Sequence, residues 1–383
     1  MTEWIECTLD KLGEIVGGAT PSTKCEDYYG GSIPWITPKD LSSFKGRYIT
    51  SGERNITEKG LASCSAQMMP KDAVLFTSRA PIGYVAIASQ SVCTNQGFKS
   101  IVVNEKADPL FVYYLLKYNK DAIEAMGSGT TFKEVSGKTM RAVKVRIPLD
   151  VSYQKRIAAV LDSLDTKIEN NERINDNLHQ QAATLFKALF VDLTPFDGTM
   201  PPNWTISTLG DATEMGAGGD KPKESSPVKT PLCPYPIYSN GINDYGLYGY
   251  TNDPKIKVES VTVSARGTIG YVCLRHTPYV PIVRLVTLIP DTKVLSAKYL
   301  YLYLRQLHIT GTGTTQQQLT VPDFRKTEII IPDKNTMDSF TETVTPLFEQ
   351  IWANEDENTK LAEVRAALLP KLMSGEIDVS DIQ

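Results

Sequence analysis

The stretch SYQKRIAAVLDSLDTKIENNERINDNLHQQAATLFKALF, residues 152–190, contains neither proline nor glycine and predicts one long helix. Apolar residues recur every three or four positions along it, which is the spacing of a heptad seam that packs against another helix. Two asparagines interrupt the seam at its centre. The seam consists of Ile157, Leu161, Leu164, Ile168, Asn171, Asn175, Leu178, Ala182, Leu185 and Leu189.

The last fifty residues contain a second stretch of the same kind, in which Pro370 is expected to kink or end the helix. Its seam also has two central asparagines. The seam residues are Leu347, Ile351, Asn354, Asn358, Leu361, Arg365, Leu368 and Leu372. Matching lengths and polar centres favour two long antiparallel helices that pair as a coiled coil. Surface helices on two separate compact domains are the alternative.

The rest of the chain repeats itself. Four motifs of the first half recur in the same order in the second half, which indicates a duplicated unit of about 190 residues. The motif pairs are Trp4 with Thr8-Leu9 and Trp204 with Thr208-Leu209; SRAPIGYV (78–85) and ARGTIGYV (265–272); GSGTT (127–131) and GTGTT (311–315); VRIP (145–148) and IIIP (329–332).

The repeat predicts an α+β fold, in which two pseudo-repeated α/β domains with antiparallel strands are separated by the two long antiparallel coiled-coil helices. Gly and Pro punctuate the strand-like runs. The predicted strands are 74–77, 84–87 and 143–147 in the first unit and 261–263, 271–274 and 285–289 in the second; one helix is predicted at 109–120 and its twin at 297–307. The predicted divisions are 1–150, 151–195, 196–333 and 334–383.

Composition and charge exclude several classes of protein. Hydrophobic residues make up 41% of the chain and charged residues 22%, which is typical of a globular protein. No apolar run approaches the roughly 18 residues of a membrane span, and the N-terminus lacks a signal-peptide pattern, so we expect a cytoplasmic protein. The six scattered cysteines are expected to be reduced, and the three distant histidines predict no metal site.

The net charge of −4 does not exclude DNA binding, because the acidic residues are concentrated in the last fifty positions. Residues 334–383 carry 4 basic and 10 acidic side chains, whereas residues 1–150 carry 18 and 16. Only a local basic surface is needed to meet phosphates.

The repeated polar loops are the candidate DNA-binding surface. The first loop precedes a basic segment that contains Lys133, Lys138, Arg141, Lys144 and Arg146. The second leads into a glutamine run, and glutamine can pair with adenine edges. Two polar loops of different chemistry suggest two readers of different sequences, although a solvated face and an ordinary polar loop are the alternatives.

Two arginines precede the shared Gly-Tyr-Val motif, where they could contact phosphate or brace the loops. The candidate DNA-binding residues are Arg79, Thr130, Thr131, Lys133, Lys138, Arg141, Arg266, Thr314, Thr315, Gln316, Gln317, Gln318 and Lys326.

Motifs of enzyme active sites are missing from the sequence. Gly137-Lys138-Thr139 looks like the end of a phosphate-binding loop, but Phe132 stands where that motif needs glycine, and residues 140–147 are predicted to form a strand. There is no Asn-Pro-Pro-aromatic motif of adenine methyltransferases and no evident Ser/His/Asp set. The sequence therefore predicts that this chain is not an enzyme and binds no cofactor.

Both helical stretches resemble those of type I restriction-modification specificity subunits. YQKRIAAVLD (153–162) with DTKI (165–168) is similar to their central conserved helix, and LLPKLMSGEI (368–377) is similar to their usual C-terminus. The Trp4 and Trp204 motifs resemble the starts of their two target recognition domains. Only three residues precede Trp4, whereas Pro201-Pro202-Asn203-Trp204 shows the longer lead that is common in the family.

This resemblance implies a non-catalytic subunit that binds double-stranded DNA and has two recognition domains, one for each half of a bipartite, asymmetric site. It implies that two modification subunits dock on the helices and methylate adenine N6, and that restriction subunits join through them. S-adenosylmethionine, ATP and Mg are then expected on those partners and none of them on this chain. A fragment of a fused methyltransferase-nuclease, or a coiled-coil scaffold without nucleic acid, are the alternatives.

We expect the seam residues to pair the helices or bind those partners. The residues expected to do so are Ile157, Leu161, Leu164, Ile168, Asn171, Asn175, Leu178, Ile351, Asn354, Asn358, Leu361 and Leu368.

Overall fold

The structure, a computed structural model, describes residues 2–129, 133–310 and 318–381. The chain divides into two compact units. Unit 1 comprises Met1–Arg173 and Asn354–Gln383, and unit 2 comprises Ile174–Ala353. Each unit combines helices with short strands, as the α+β prediction requires.

Unit 1 contains ten strands among its described residues. They are β1 (Trp4–Thr8), β2 (Gly13–Gly17), β3 (Tyr29–Ile33), β4 (Trp35–Ile36), β5 (Tyr48–Ile49), β6 (Val74–Ser78), β7 (Ile82–Ala88), β8 (Cys93–Thr94), β9 (Lys99–Val103) and β10 (Lys144–Pro148). The helices that begin in this unit are α1 (Pro38–Ser42), α2 (Glu58–Ala62), α3 (Pro109–Tyr118), α4 (Lys120–Ala125), α5 (Gly137–Ala142) and α6 (Val151–Phe186).

A five-stranded sheet of order β2-β9-β6-β7-β5 forms the centre of unit 1. Helix α3 begins where the Asp108 carboxylate accepts a hydrogen bond from the Phe111 amide at 3.0 Å, with Pro109 in the first turn. Its residues 111–116 are all buried in the main core. Strand β1 pairs with β10, which places Trp4 opposite Pro148, just before α6.

Unit 2 repeats this plan. Its strands are β11 (Thr205–Thr208), β12 (Thr213–Ala217), β13 (Ser225–Ser226), β14 (Tyr235–Tyr238), β15 (Leu247–Thr251), β16 (Ser260–Val263), β17 (Val272–Arg275), β18 (Val280–Pro281), β19 (Val286–Pro290) and β20 (Glu328–Ile331). Its helices are α7 (Leu209–Ala212), α8 (Ala297–Gln306), α9 (Val321–Phe324) and α10 (Lys334–Ser374), the last of which continues into unit 1.

The duplication predicted from the motifs is visible in the sheet topology. The order β12-β19-β16-β17 in unit 2 corresponds to β2-β9-β6-β7 in unit 1, and the pair β11-β20 corresponds to β1-β10. Where unit 1 has the two-stranded sheet β4-β8, unit 2 has a four-stranded sheet, β13-β15-β14-β18. The six predicted strands and the two predicted twin helices are confirmed, with ends shifted by one or two residues.

The long helices run antiparallel within each unit. In unit 1 the Asn171 amide donates to Asn358 Oδ1 at 2.9 Å, and Arg365 pairs with Asp165. In unit 2 the Asn175 amide donates to the Ile351 carbonyl at 3.3 Å. Partner numbers rise on one helix as they fall on the other, so the predicted antiparallel pairing is confirmed and the alternative of separate surface helices is wrong.

Two details of the predicted helices and strands differ in the structure. Helix α10 continues through Pro370 to Ser374; Ala366, whose carbonyl loses its donor, is exposed and can meet water. Residues 140–142 belong to α5 rather than to a strand, because Ser136 caps a helical turn through the Thr139 amide at 3.0 Å. The strand follows only at Lys144.

The seam and the strand directions also depart from expectation. Beyond Ala182, the buried position is Phe186, which contacts Tyr299 and Phe340, whereas Leu185 is 37% exposed. Steps of four residues keep the helix facing this aromatic cluster. Not all strands are antiparallel, since β4 pairs in parallel with β8, β5 with β7, and β14 with β18.

Candidate nucleic-acid interface

The turn between β6 and β7 carries Arg79. The Thr77 hydroxyl closes this turn, because it donates to the Pro81 carbonyl and accepts from the Tyr84 amide, both at 2.8 Å. The Arg79 side chain is 35% exposed, and its Nη1 lies 3.5 Å from a Glu134 carboxylate oxygen. Arg79 is thus both accessible and tied to the polar loop that was predicted from the repeat.

That polar loop is fixed at its base. Ser128 and Glu134 exchange two backbone hydrogen bonds of 3.0 and 2.9 Å, and the Val135 amide donates to the Ser78 carbonyl at 2.9 Å. The loop is therefore attached to the end of β6. Thr130 and Thr131 lie outside the described residues.

Unit 2 reproduces this arrangement with different chemistry. The Ser264 hydroxyl takes the place of Thr77 and accepts from the Tyr271 amide at 2.9 Å. Arg266 donates from Nη2 to Gln318 Oε1 at 3.1 Å, and the Leu319 amide donates to the Ala265 carbonyl at 3.1 Å. The candidates Thr314, Thr315, Gln316 and Gln317 lie outside the described residues.

The basic residues that follow the loop in unit 1 surround a short helix. Lys133, Lys138 and Arg141 are exposed, and the latter two lie on α5. Lys99, which the sequence reading missed, lies 3.6 Å from Glu134. A Cβ built on Gly137 would be 3.9 Å from the Lys99 side chain, so Lys99 lies beside α5, but its side chain is only 16% exposed. Lys99 is the first residue of β9, and no sequence motif around it indicates a functional residue.

The equivalent helix of unit 2 is less basic. Lys326 is exposed but lies 3.4 Å from Asp323, whose pKa is lowered by hydrogen bonds from Thr320 and Lys326. Arg325 donates to the Gly210 carbonyl at 2.8 Å and so holds α7 in place. In this region of unit 2, Lys326 therefore offers only a partly neutralised charge to an anion.

Arg146 does not join the basic surface of unit 1. Its guanidinium lies 5.3 Å from the centre of the Trp4 ring and donates to the Ser374 carbonyl at 3.1 Å. A cation at the C-terminal end of a helix is favourably placed relative to the helix dipole. Arg146 thus anchors the end of α10.

The seam residues predicted to pair the helices are buried to different degrees. Ile157 and Leu161 are fully buried in unit 1, as is Ile351 in unit 2. The amide side chains point into the pairing, and Asn171, Asn175 and Asn354 are at most 8% exposed. Half-buried are Leu164, Ile168, Leu178, Asn358, Leu361 and Leu368.

A buried ionic network between the domain of unit 1 and its helix was missed from the sequence. Arg47, which is 5% exposed, donates to Thr166 at 2.9 Å and to Glu169 at 3.0 and 3.2 Å, and pairs with Asp162. The Tyr114 hydroxyl donates to Asp165 at 2.7 Å. Burial raises the pKa of Asp162, and Arg47 opposes that rise.

Unit 2 fills the same junction with aromatic rings. His276 stacks on Trp352 at 4.1 Å, and Tyr301 meets Phe348 edge-on at 5.8 Å. Trp352 and Phe348 stand 183 positions after Glu169 and Asp165, the offset that also relates Asn354 to Asn171. The two units therefore attach to their helices by different chemistry.

The described residues offer neither a cluster of metal ligands nor a membrane-spanning helix. Residues 2–129, 133–310 and 318–381 contain no group of three His, Cys, Asp or Glu side chains that could hold a metal ion. Within the same ranges, no helix is long and apolar enough to cross a membrane.

Comparison with known proteins identifies the family. The family model "Type I restriction modification DNA specificity domain" matches residues 1–180 and 201–363. The MjaIX specificity subunit of Methanocaldococcus jannaschii is 34% identical and is aligned over 99% of this chain and 95% of its own length. The HindI specificity subunit of Haemophilus influenzae is 25% identical over 73% and 80% of the two chains.

The fold agrees with these matches. The crystal structure of a type I restriction-modification S subunit from M. genitalium superposes with a TM-score of 0.62 at 16% identity, covering 97% of this chain and 96% of that one. The chain therefore belongs to the specificity subunits of type I restriction-modification systems, which are the non-catalytic components of those complexes.

Proposed function

We propose that this subunit reads a bipartite, asymmetric site on double-stranded DNA, with one half-site for each unit. The observation that carries the proposal is the pair of equivalent arginine turns, in which one framework holds Arg79 against Glu134 and Arg266 against Gln318. Because the two turns share one backbone framework, they can approach the DNA backbone in the same way. Because their side chains differ, they can recognise half-sites of different sequence.

The proposed division of contacts follows from charge and position. Arg79, Lys133, Lys138 and Arg141 in unit 1 are suited to phosphate, and such contacts fix the position of a protein on the duplex. The loop residues Thr130, Thr131 and Thr314–Gln317, together with Gln318, are proposed to approach base edges. The acidic helices are proposed to meet protein rather than DNA.

The proposed partners are two modification subunits that bind the helices, with restriction subunits joining through them. In this proposal the paired helices set the gap between half-sites. S-adenosylmethionine, ATP and Mg are proposed to act on the partners, where methyl transfer to adenine requires base flipping. The MjaIX and HindI relatives are each named as subunits of type I restriction enzymes, which supports an assembly of this kind.

The test is expression of this chain with its modification subunit in a host that lacks adenine methylation, followed by mapping of N6-methyladenine across the genome. We expect one bipartite motif with two different halves and a fixed gap. Expression of either chain alone should give no methylation. A continuous motif, a palindromic motif, or methylation without this chain would contradict the proposal.

A further inference from the structure

Unit 2 contains an exposed loop, residues 239–248, that comprises the connection after β14 and the first two residues of β15 and has no counterpart in the described part of unit 1. It follows β14, whose parallel partner is β18, and the equivalent strand of unit 1 is β4 paired with β8. After β4 the chain instead enters helix α1, which a capping box of Thr37 and Asp40 begins. The two units therefore differ at the same point of a shared framework.

The backbone of this loop adopts positive φ angles, which residues other than glycine disfavour. Asp244 and Tyr245 have φ angles of 47° and 55°. Gly246 has φ 83°, and a Cβ there would lie 2.6 Å from the Ser239 carbonyl oxygen. The loop is closed by a 2.8 Å hydrogen bond from the Ser239 amide to the Gly246 carbonyl.

The buried Arg275 holds the loop in place by a hydrogen bond to its backbone. Arg275 is 6% exposed and donates from Nη2 to the Tyr245 carbonyl at 2.7 Å and from Nε to Thr262 at 2.9 Å. Its guanidinium stacks on the Tyr238 ring at 3.6 Å. Disfavoured backbone persists only where its surroundings impose it, and such segments concentrate at functional sites.

Asn240 joins the loop to the arginine turn. Its Oδ1 accepts from the Ala265 amide at 2.7 Å, next to Arg266, and its Nδ2 donates to the Val283 carbonyl at 2.5 Å, next to Arg284. Arg266 and Arg284 are both exposed. Through this one side chain, the loop and two cations are fixed together.

The surface of the loop combines apolar rings with positive charge. Tyr245 and Tyr248 are 54% and 52% exposed, and Lys221 lies 5.3 Å from the Tyr248 ring. Asn243 is exposed beside them, and the exposed carboxylates within five residues of Lys221 or of the loop are Asp220, Glu224, Asp244 and Asp253. Side chains of this kind on a rigid support suit base edges, with cations alongside for phosphate.

We propose that residues 239–248 form a base-reading loop of unit 2, in which Asn243 and Tyr245 contact base edges while Arg266 and Arg284 contact phosphates. This inference rests on the proposed function and adds a reading element that is separate from the glutamine run. Unit 1, with α1 in this place, reads its half-site by other residues.

The experiment maps methylation by the complete complex that carries Asn243→Ala or Tyr245→Ala. We expect at least one position in one half-site to accept further bases, with about a tenfold loss of discrimination, while the other half and the gap stay unchanged. Leu232→Ala is the matched control, because Leu232 is an apolar side chain 83% exposed on the connection before β14.

Tyr245→Phe and Asn243→Ser are tested alongside, since they are milder changes for folding. An unaltered motif in all four variants overturns the inference while the proposed function stands. Loss of all methylation in all four, with Leu232→Ala intact, also overturns it, since base reading predicts relaxed rather than absent recognition. A wild-type motif that is not bipartite overturns both proposals.

Discussion

Arg266 donates to Gln318 across the base of a polar loop, and Glu134 stands in the position of Gln318 in unit 1, where it meets Arg79. Gln318 is uncharged and leaves the positive charge of Arg266 uncompensated, whereas the Glu134 carboxylate compensates the charge of Arg79. The bracing role and the phosphate-contact role of these arginines are therefore compatible, but the net charge available to DNA differs between the two units.

This difference predicts unequal salt dependence of DNA binding. Arg266→Ala should weaken binding to all sequences and reduce the slope of log K against log salt by about one. Arg79→Ala should change the slope less, because Glu134 already offsets its charge. Fluorescence anisotropy of the assembled complex over a salt series measures both slopes, with Arg266→Lys as the control. An unchanged slope for Arg266→Ala would show that it only braces the loop.

The central asparagines are expected to lower the stability of the helix pair while fixing its register. Asn171 donates to Asn358 at 2.9 Å and to Glu357 at 2.7 Å, and hydrogen bonds from Asn171 and Lys167 lower the pKa of the Glu357 carboxyl. Asn171→Leu should cost about 1–3 kcal/mol, because Asn358 Oδ1 and Glu357 lose the hydrogen bonds that Asn171 donates. Replacement of both by Leu should recover stability but allow slipped pairings.

Thermal melting of the variants measures the first effect, and the gap length in the methylated motif measures the second. The double variant should methylate sites with more than one gap. If it keeps a single gap of wild-type length, the asparagines do not set register.

The environment of His179 predicts that unit 2 is less stable to unfolding at acidic pH. Burial and the nearby Arg305 lower the pKa of His179, which packs edge-on against Phe348. Among the described residues, its buried Nδ1 has no hydrogen-bond partner. Because the folded pKa lies below the ordinary value of about 6.5, the unfolded chain binds the proton first, and stability falls as pH drops below that value.

Melting between pH 7 and pH 5 tests this prediction. We expect Tm to fall by a few °C, since about 1 kcal/mol shifts the Tm of a unit this size by about 2–4 °C. His179→Phe should flatten the profile, while His308→Gln, at an exposed site, should not. Equal profiles for wild type and His179→Phe would exclude His179 as the source.

Arg47 predicts how firmly the domain of unit 1 is attached to its helix. Arg47→Met keeps the apolar stem but leaves Asp162 and Glu169 without their cation, which should cost about 3 kcal/mol. Lys45→Met is the control, because the exposed Lys45–Glu172 pair, at 3.5 Å, should contribute less than about 1 kcal/mol. Urea unfolding measures both, and equal losses would contradict the buried network.

Periodicity and repetition determine which parts of this molecule can be predicted from its sequence. Heptad spacing identifies Ile157 and Leu161, and the repeat places Arg79 and Arg266 at equivalent turns. Arg47 has no such signal, because its partners lie 115–122 positions away and no spacing connects them. The loop at 239–248 falls where the two units diverge, so the repeat gives no information about it.

The helix seam alone suggests that a fragment of residues 1–195 would pair with a second copy as a symmetric homodimer and select a palindromic site. The structure identifies an obstacle to this pairing. The Asp165 carboxylate is 5% exposed, pairs with Arg365 and accepts a hydrogen bond from the Tyr114 hydroxyl. In a homodimer of the same register, the position of Arg365 would be taken by Ala182, which stands 183 residues before it.

We therefore expect the 1–195 fragment to dimerise weakly at neutral pH, because a buried carboxylate without its cation opposes association. Ala182→Arg should restore a cation opposite each Asp165 and lower the dimer Kd by about tenfold or more, and Asp165→Asn should act in the same direction by removing the charge. Sedimentation equilibrium of the three fragments measures the effect, with Leu185→Arg as the control at a neighbouring position that is 37% exposed. If the unaltered fragment dimerises as tightly as Ala182→Arg, or if Leu185→Arg gives the same gain, the helices of the homodimer do not pair in the register that Asp165 and Arg365 define.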